Sequence, residues 1–240
     1  MNLLLDIGNT LQKIAVFYND DCIYHNSFLI ITKEIITSVF NQFSIQNSII
    51  SSVADVDVEV TAFLETHTNL IHYTAQTKVP ITLLYKSVET LGLDRIANAV
   101  GVAASFSNRN VLSIQAGTCL VLDFVNEKNE YLGGSISPGL KMRFEALHEK
   151  TNKLPLLKNN SKQPHFLGKD TQESVLCGVI NGICYEIDGF INDYKKEYQE
   201  LIVVFSGGDA SCLQKFIKNT IFAAPNIVLK GLNEIIKYNV

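Results

Sequence analysis

Asp6, Gly8 and Thr10 fall within one short stretch, Asp6-Ile7-Gly8-Asn9-Thr10, that directly follows the apolar run of residues 2–5. A glycine in such a turn lets the backbone approach a bound anion closely. Successive amides and a threonine hydroxyl can then cradle phosphate oxygens. A carboxylate at the strand end is a hard oxygen donor of the kind that holds Mg2+, directly or through water. The same residues also make a plain hairpin turn, so the stretch alone leaves both readings open. Two more glycine turns follow apolar runs, at Gly117-Thr118 and at Ser206-Gly207-Gly208-Asp209. Three such turns, two of them related by an internal repeat, predict a nucleotide held in a cleft between two domains. Neither the P-loop pattern nor the dinucleotide fingerprint occurs, which argues against a Rossmann dehydrogenase.

A second group of reactive residues surrounds Asp94. It stands at the mouth of a helix predicted over residues 90–106, with Arg95 beside it, Gly92 before it and Tyr85 further upstream. A carboxylate there could accept a hydroxyl proton, and a guanidinium could bind a carboxylate or phosphate. A helix cap is the plainer alternative for Asp94. Gly133-Gly134, Pro138-Gly139 and Thr171 fit the wall of the same substrate site, although each alone also reads as structural. The histidines, His25, His67, His72, His148 and His165, show no metal-ligand spacing, and no nucleophile elbow is present.

These residues need elements to hold them. Strands are predicted over 12–18 and 22–30, a helix over 33–43, strands over 48–53 and 70–73, and a helix over 58–65. The second half repeats the opening, with an apolar run at 111–115, a turn, and strands over 119–125 and 130–136. Helices follow over 138–151, with Ser137 as cap, and over 171–196, with a strand over 201–205 between the latter and the last glycine turn. Leu3–Thr10 and Leu112–Thr118 share one plan, with Asp6 aligned to Gln115. The reading is an α/β chain of two related domains, 1–108 and 109–240, the last helix being free to pack back across the cleft. At 240 residues the chain can bury a large core without disulfides or structural metal. Net charge is −4, which disfavours a broad nucleic-acid surface. The odd set Cys22, Cys119, Cys177, Cys184 and Cys212 fits a reducing compartment. No apolar run is counted that reaches the roughly 18–20 residues of a membrane span. A cytoplasmic protein without a membrane partner is expected.

In their order along the chain, Asp6–Thr10 (DIGNT), Gly92–Arg95 (GLDR), Gln115–Thr118 (QAGT), Gly133–Leu140 (GGSISPGL), Thr171 in GKDT and Ser206–Asp209 (SGGD) resemble type III pantothenate kinase. The resemblance runs from residue 2 to about residue 236. It implies the acetate kinase/heat-shock ATPase/actin-type fold, built from two duplicated ribonuclease H-like domains with mixed sheets flanked by helices. It implies phosphorylation of pantothenate by ATP, the first step of coenzyme A synthesis, in a homodimer. Asp6, Ile7, Gly8, Asn9, Thr10, Leu11, Gln12, Lys13 and Thr118 would bind ATP, with Asp6 near Mg2+. Tyr85, Gly92, Leu93, Asp94, Arg95 and Thr171 would bind pantothenate, with Asp94 as general base. A monovalent cation, K+ or NH4+, would be held where the family carries Asp and this chain carries Gln115. A neutral amide oxygen there weakens the expected cation dependence, and Asp123 on the following strand points from a different place. Two other readings remain on the residues alone: a non-catalytic relative acting as a transcriptional accessory or binding protein, and a kinase of another small hydroxyl compound such as a sugar.

Overall fold

The computed structural model describes residues 1–8, 11–52, 55–158 and 162–240. The chain divides into two compact units, residues 1–105 with 226–240, and residues 106–225.

The first unit opens with three consecutive strands, β1 (Asn2–Ile7), β2 (Gln12–Tyr18) and β3 (Asp21–Phe28). There follow α1 (Lys33–Phe40), β4 (Asn47–Ser52), α2 (Val58–His67), β5 (Asn69–His72), a two-residue strand β6 (Thr82–Leu83) and α3 (Leu93–Ser105). The main sheet runs β3-β2-β1-β4-β5, with β1 antiparallel to β2 and parallel to β4. Parallel strands must be covered on both faces, which is why β1 reads Leu-Leu-Leu rather than alternating. Leu3, Leu5 and Ile7 join Ile36 and Val39 of α1 and Val60 and Leu64 of α2 in one buried cluster. Leu4, equally buried, faces the other way.

The second unit repeats this order. Its elements are β7 (Val111–Ala116), β8 (Cys119–Val125), β9 (Glu130–Pro138), α4 (Leu140–Glu149), α5 (Thr171–Leu176), α6 (Gly182–Glu197), β10 (Ile202–Ser206), α7 (Ala210–Leu213) and β11 (Phe222–Ala223). Its strands run β11-β10-β7-β8-β9, so β7 holds the place of β1 and β10 that of β4. Leu112, Ile114, Leu122 and Phe124 of the sheet pack with Ile183, Ile187 and Ile191 of α6.

Helix boundaries differ from the sequence expectation at one telling place. Pro138 ends β9 and Gly139 caps α4, so Ser137 and Pro138 are strand residues rather than cap and first helical residue. Proline fits there because it terminates the ladder. α5 and α6 are joined through a π-helical turn, Cys177–Asn181, into one 27-residue helical run, Thr171–Glu197. An 18-residue window of that run is apolar enough to cross a bilayer, which the count of apolar runs missed. Half of that window is buried inside the protein, and its isoleucines fill the core.

The last helix, α8 (Ile227–Asn239), lies with the first unit; the sequence division leaves it within 109–240 but free to pack back. It packs on α3, β1 and β4. A Cβ on Gly231 would lie 1.7 Å from the Ala97 carbonyl oxygen, and one on Gly101 2.2 Å from that of Ile227, so only glycines allow this helix crossing. A chain of asparagine amides pins the helix to the sheet. Asn69 donates to Asn47, Asn47 to Asn2, and Asn2 to the fully buried Asn233, which donates to the Asn19 carbonyl.

Candidate active site

Asp6 lies within β1 rather than after it, paired with Lys13 of β2 on one side and Ser51 of β4 on the other. β5 continues the pattern: Ile50 pairs with His72, and the Tyr73 amide donates to the Ile50 carbonyl at 3.1 Å. Side chains at equal register share a sheet face. Lys13, Asp6, Ser51 and Tyr73 therefore form one row across the sheet, at the carboxyl ends of its parallel strands, where α/β sheets bind ligands. Ser51 and Tyr73 are buried. Sequence reasoning missed both, because neither sits in a motif and only the register unites them with Asp6.

Lys13 Nζ lies 3.7 Å from the Asp6 carboxylate. Burial pushes the Asp6 carboxyl above its ordinary value; Lys13 pulls it down and the charge of Asp94 pushes it up further, with burial prevailing. The site thus brings two carboxylates within electrostatic reach, one half-buried and one exposed, with a lysine beside the first. That is a setting for a phosphorylated ligand and its divalent ion. The Gly8 amide donates to the Leu11 carbonyl at 3.2 Å. Asn9 and Thr10, both expected to bind ATP, lie outside the described residues. Ile7 is a core residue, leaving only its backbone to a ligand, and Leu11 is exposed. The Gln12 side chain accepts the Ile31 amide at 2.6 Å, which gives it a structural task.

Asp94 is in the first turn of α3, and the Gly92 carbonyl accepts the amides of Arg95 and Ile96. The exposed Asp94 carboxylate folds back over Gly92: a Cβ there would sit 2.6 Å from Asp94 Oδ1. The Arg95 stem also runs beside Gly92, its Cγ 3.7 Å from the same Cβ position. Arg95 is only 7% exposed, and its guanidinium lies over the Tyr85 ring, 5.9 Å from the centroid. That contact is a cation–π interaction that holds the loop to the helix. Leu93 begins α3 and is half-buried.

In the second unit, Gln115 is the fifth residue of β7, as Asp6 is of β1, and pairs with Val121 and Ser206 where Asp6 pairs with Lys13 and Ser51. The glycine turns converge here. A Cβ on Gly139 would lie 2.1 Å from the Gly117 carbonyl oxygen, Gly207 has φ +99°, and the Asp209 amide donates to the Ala116 carbonyl at 3.0 Å. Thr118 is exposed beside them. Leu140, Phe144, Leu156 and Leu157 line a pocket of about 220 Å³, with Lys141, Glu145, Lys158 and Asp209 also at its wall. Thr171, after its N-cap Asp170, lines a larger open cavity of about 540 Å³ with Ser174 and Lys169. Asp123 is fully buried and accepts the Tyr131 hydroxyl at 2.8 Å, a core role.

Among the described residues no group of three or more His, Cys, Asp or Glu forms a metal cluster. A single carboxylate such as Asp6 suits Mg2+, which is commonly held by one or two carboxylates together with waters and substrate phosphates.

The family model described as type III pantothenate kinase matches residues 2–193. Curated type III pantothenate kinases from Flavobacterium johnsoniae and Cytophaga hutchinsonii are 38% and 40% identical, over 100% of this chain and 99% and 100% of theirs. Among solved structures, a conserved Baf family protein from Campylobacter jejuni superposes with a TM-score of 0.61 at 22% identity, covering 99% of this chain and 98% of its own, which supports the fold. The duplicated sheets have the acetate kinase/heat-shock ATPase/actin-type architecture, and by similarity over its whole length the chain belongs to the type III pantothenate kinase family.

Proposed function

We propose that this kinase transfers the γ-phosphoryl group of ATP to the primary hydroxyl of pantothenate, the first step of coenzyme A synthesis. The observation that carries the reading is the pairing of an exposed Asp94 carboxylate with the half-buried Asp6 beside Lys13, in a chain whose full-length relatives are named for this reaction. Asp94 takes the hydroxyl proton as the acceptor oxygen attacks. Its place in the first turn of α3 keeps the acid in reach of an oxygen docked over Gly92. Lys13 faces the phosphates, and Thr118 of the second unit is a further proposed ATP contact. Phosphoryl transfer asks the protein chiefly for position and charge stabilisation. Asp6 would hold the Mg2+ that arrives with ATP, through water, and the ion supplies neutralisation of phosphate charge. Tyr85, Leu93 and Arg95 bind pantothenate, with buried Arg95 acting through its hold on Tyr85, and Thr171 of the second unit is a further proposed contact. Gln115 takes the monovalent cation position with an amide oxygen in place of a carboxylate, so K+ or NH4+ binds weakly.

The enzyme acts as a homodimer in the cytoplasm. Five free cysteines support a reducing compartment. The exposed Leu132 and Ile136 of β9 offer apolar surface for a second copy. The non-catalytic alternative is not favoured, since the full-length curated relatives carry the kinase name. A coupled ADP-release assay with pantothenate and a panel of sugars, with and without K+, tests the reading. Turnover on a sugar but not on pantothenate would overturn it.

A further inference from the structure

Tyr73 lies outside every motif read from the sequence, yet it occupies the end of the row that contains Asp6. Its side chain is 95% buried, with 5% exposure, and among the described residues its hydroxyl has no hydrogen-bond partner. Leaving a buried hydroxyl without an acceptor costs free energy that a phenylalanine would not. A well-packed interior seldom keeps such a group unless something completes it. Asp6 and Lys13 share this row on β1 and β2, and the charge of Asp94, at the start of α3 next to Arg95, acts on Asp6. Asp6 already has Lys13. Arg95 and Lys13 carry only donors, so neither can accept a phenol proton. Burial pushes the Tyr73 phenol above its ordinary value and the charge of Asp94 pushes it further, so it stays neutral and proton-donating, and Asp94 is the carboxylate whose charge acts on it.

Resting on the kinase reading above, we propose that Tyr73 is a positioning residue for the phosphoryl-transfer base: when the acceptor alcohol is bound, its hydroxyl donates, directly or through one water, to the Asp94 carboxylate. An exposed carboxylate on a short side chain can rotate among several orientations. A donor fixed in the protein interior selects the one in which the second oxygen faces the acceptor alcohol. The donor is neutral, so it orients Asp94 without competing for the substrate's proton. Tyr73 touches the base and not the reacting atoms, so its removal should lower turnover without weakening binding of either substrate.

Tyr73→Phe removes only the hydroxyl. Steady-state kinetics with Mg·ATP and pantothenate should show kcat down about 10- to 100-fold, the range for a hydrogen bond to a charged group, with both KM values within about twofold of wild type. The melting temperature should be equal to or above that of wild type. Tyr73→Met also lacks the hydroxyl but reshapes the packing, and it should lose a comparable factor in kcat even where its melting temperature falls. Wild-type kcat in Tyr73→Phe would overturn the proposal. So would a raised pantothenate KM at unchanged kcat, which would make Tyr73 a substrate contact, or a kcat loss in Tyr73→Met alone, which would make it a packing residue. Failure of the unmodified enzyme to phosphorylate pantothenate in the same assay would instead overturn the kinase reading.

Discussion

Gly92→Ala tests the geometry of the base more directly than removal of the base itself. The added methyl carbon would lie 2.6 Å from Asp94 Oδ1, about 0.8 Å inside ordinary contact at 3.4 Å. Asp94 is exposed, so its carboxylate can swing away at small cost to the fold. The Gly92 backbone does not have the positive φ that would strain an alanine. Stability should therefore change by less than about 1 kcal/mol, whereas the base moves by most of an ångström. A misplacement of that size costs about 10²-fold in a reaction that depends on position. We expect kcat to fall about 10- to 100-fold, ATP affinity by calorimetry to be unchanged, and the melting temperature to stay within a few degrees of wild type. The double variant Gly92→Ala/Asp94→Asn should be no slower than Asp94→Asn alone, because the glycine acts only through the carboxylate it accommodates. Full additivity of the two losses, or wild-type kcat in Gly92→Ala, would refute the reasoning.

Asp94→Asn keeps the size and capping ability of the side chain but cannot take a proton; turnover should drop about 10²- to 10⁴-fold with ATP binding retained, measured by kinetics and calorimetry. For Asp6 the sign follows from its raised value: the carboxyl's contribution to stability falls as pH rises from the unfolded value of 3.8 to the folded one, and stays lower above it. Asp6→Asn should thus raise the melting temperature at pH 7 without nucleotide, while weakening productive use of Mg·ATP; a lower melting temperature would show that the Lys13 pairing outweighs burial. Gln115→Asp should strengthen activation by K+ in sodium-buffered enzyme, because it restores one formal charge; strong K+ activation of the wild type, unchanged in the variant, would place the ion elsewhere. Gly231→Ala should destabilise the first unit by about 1–3 kcal/mol in chemical unfolding, since the new methyl group meets the Ala97 backbone rather than a movable side chain.

The strand ends were legible in the sequence because their chemistry is local. An apolar run, a polar residue and a glycine turn are contiguous, and their repetition announces the duplication that the matching strand orders display. The helix bearing Asp94 was legible for the same reason. Tyr73 and Ser51 were not, since they reach Asp6 only through the register of β1, β4 and β5, a relation among segments some 20 to 45 residues apart. The fate of Arg95 was equally hidden: a guanidinium beside a carboxylate reads as a ligand, but the residue is buried and its guanidinium lies over the Tyr85 ring. The sequence left the last helix free to pack back, but the features that hold α8 in the first unit, glycines at the α3 crossing and the Asn233 amide, do not by themselves mark a helix as belonging to one unit or the other.

The duplication also explains why the two halves cannot do the same work. Equal positions on equal strands carry Asp6 opposite Lys13 and Gln115 opposite Val121. The first pairing places opposite charges in a half-buried setting, where a phosphate and its ion can exchange with them. The second leaves a neutral amide beside an aliphatic residue, where no charge waits for a counterion. What the second unit contributes instead is backbone: glycines at 139 and 207 bring carbonyls and amides of three turns together more closely than any side chain would permit. Charge at the strand ends of the first unit and close-packed main chain in the second fit the proposed kinase reading, in which catalysis is chiefly positional.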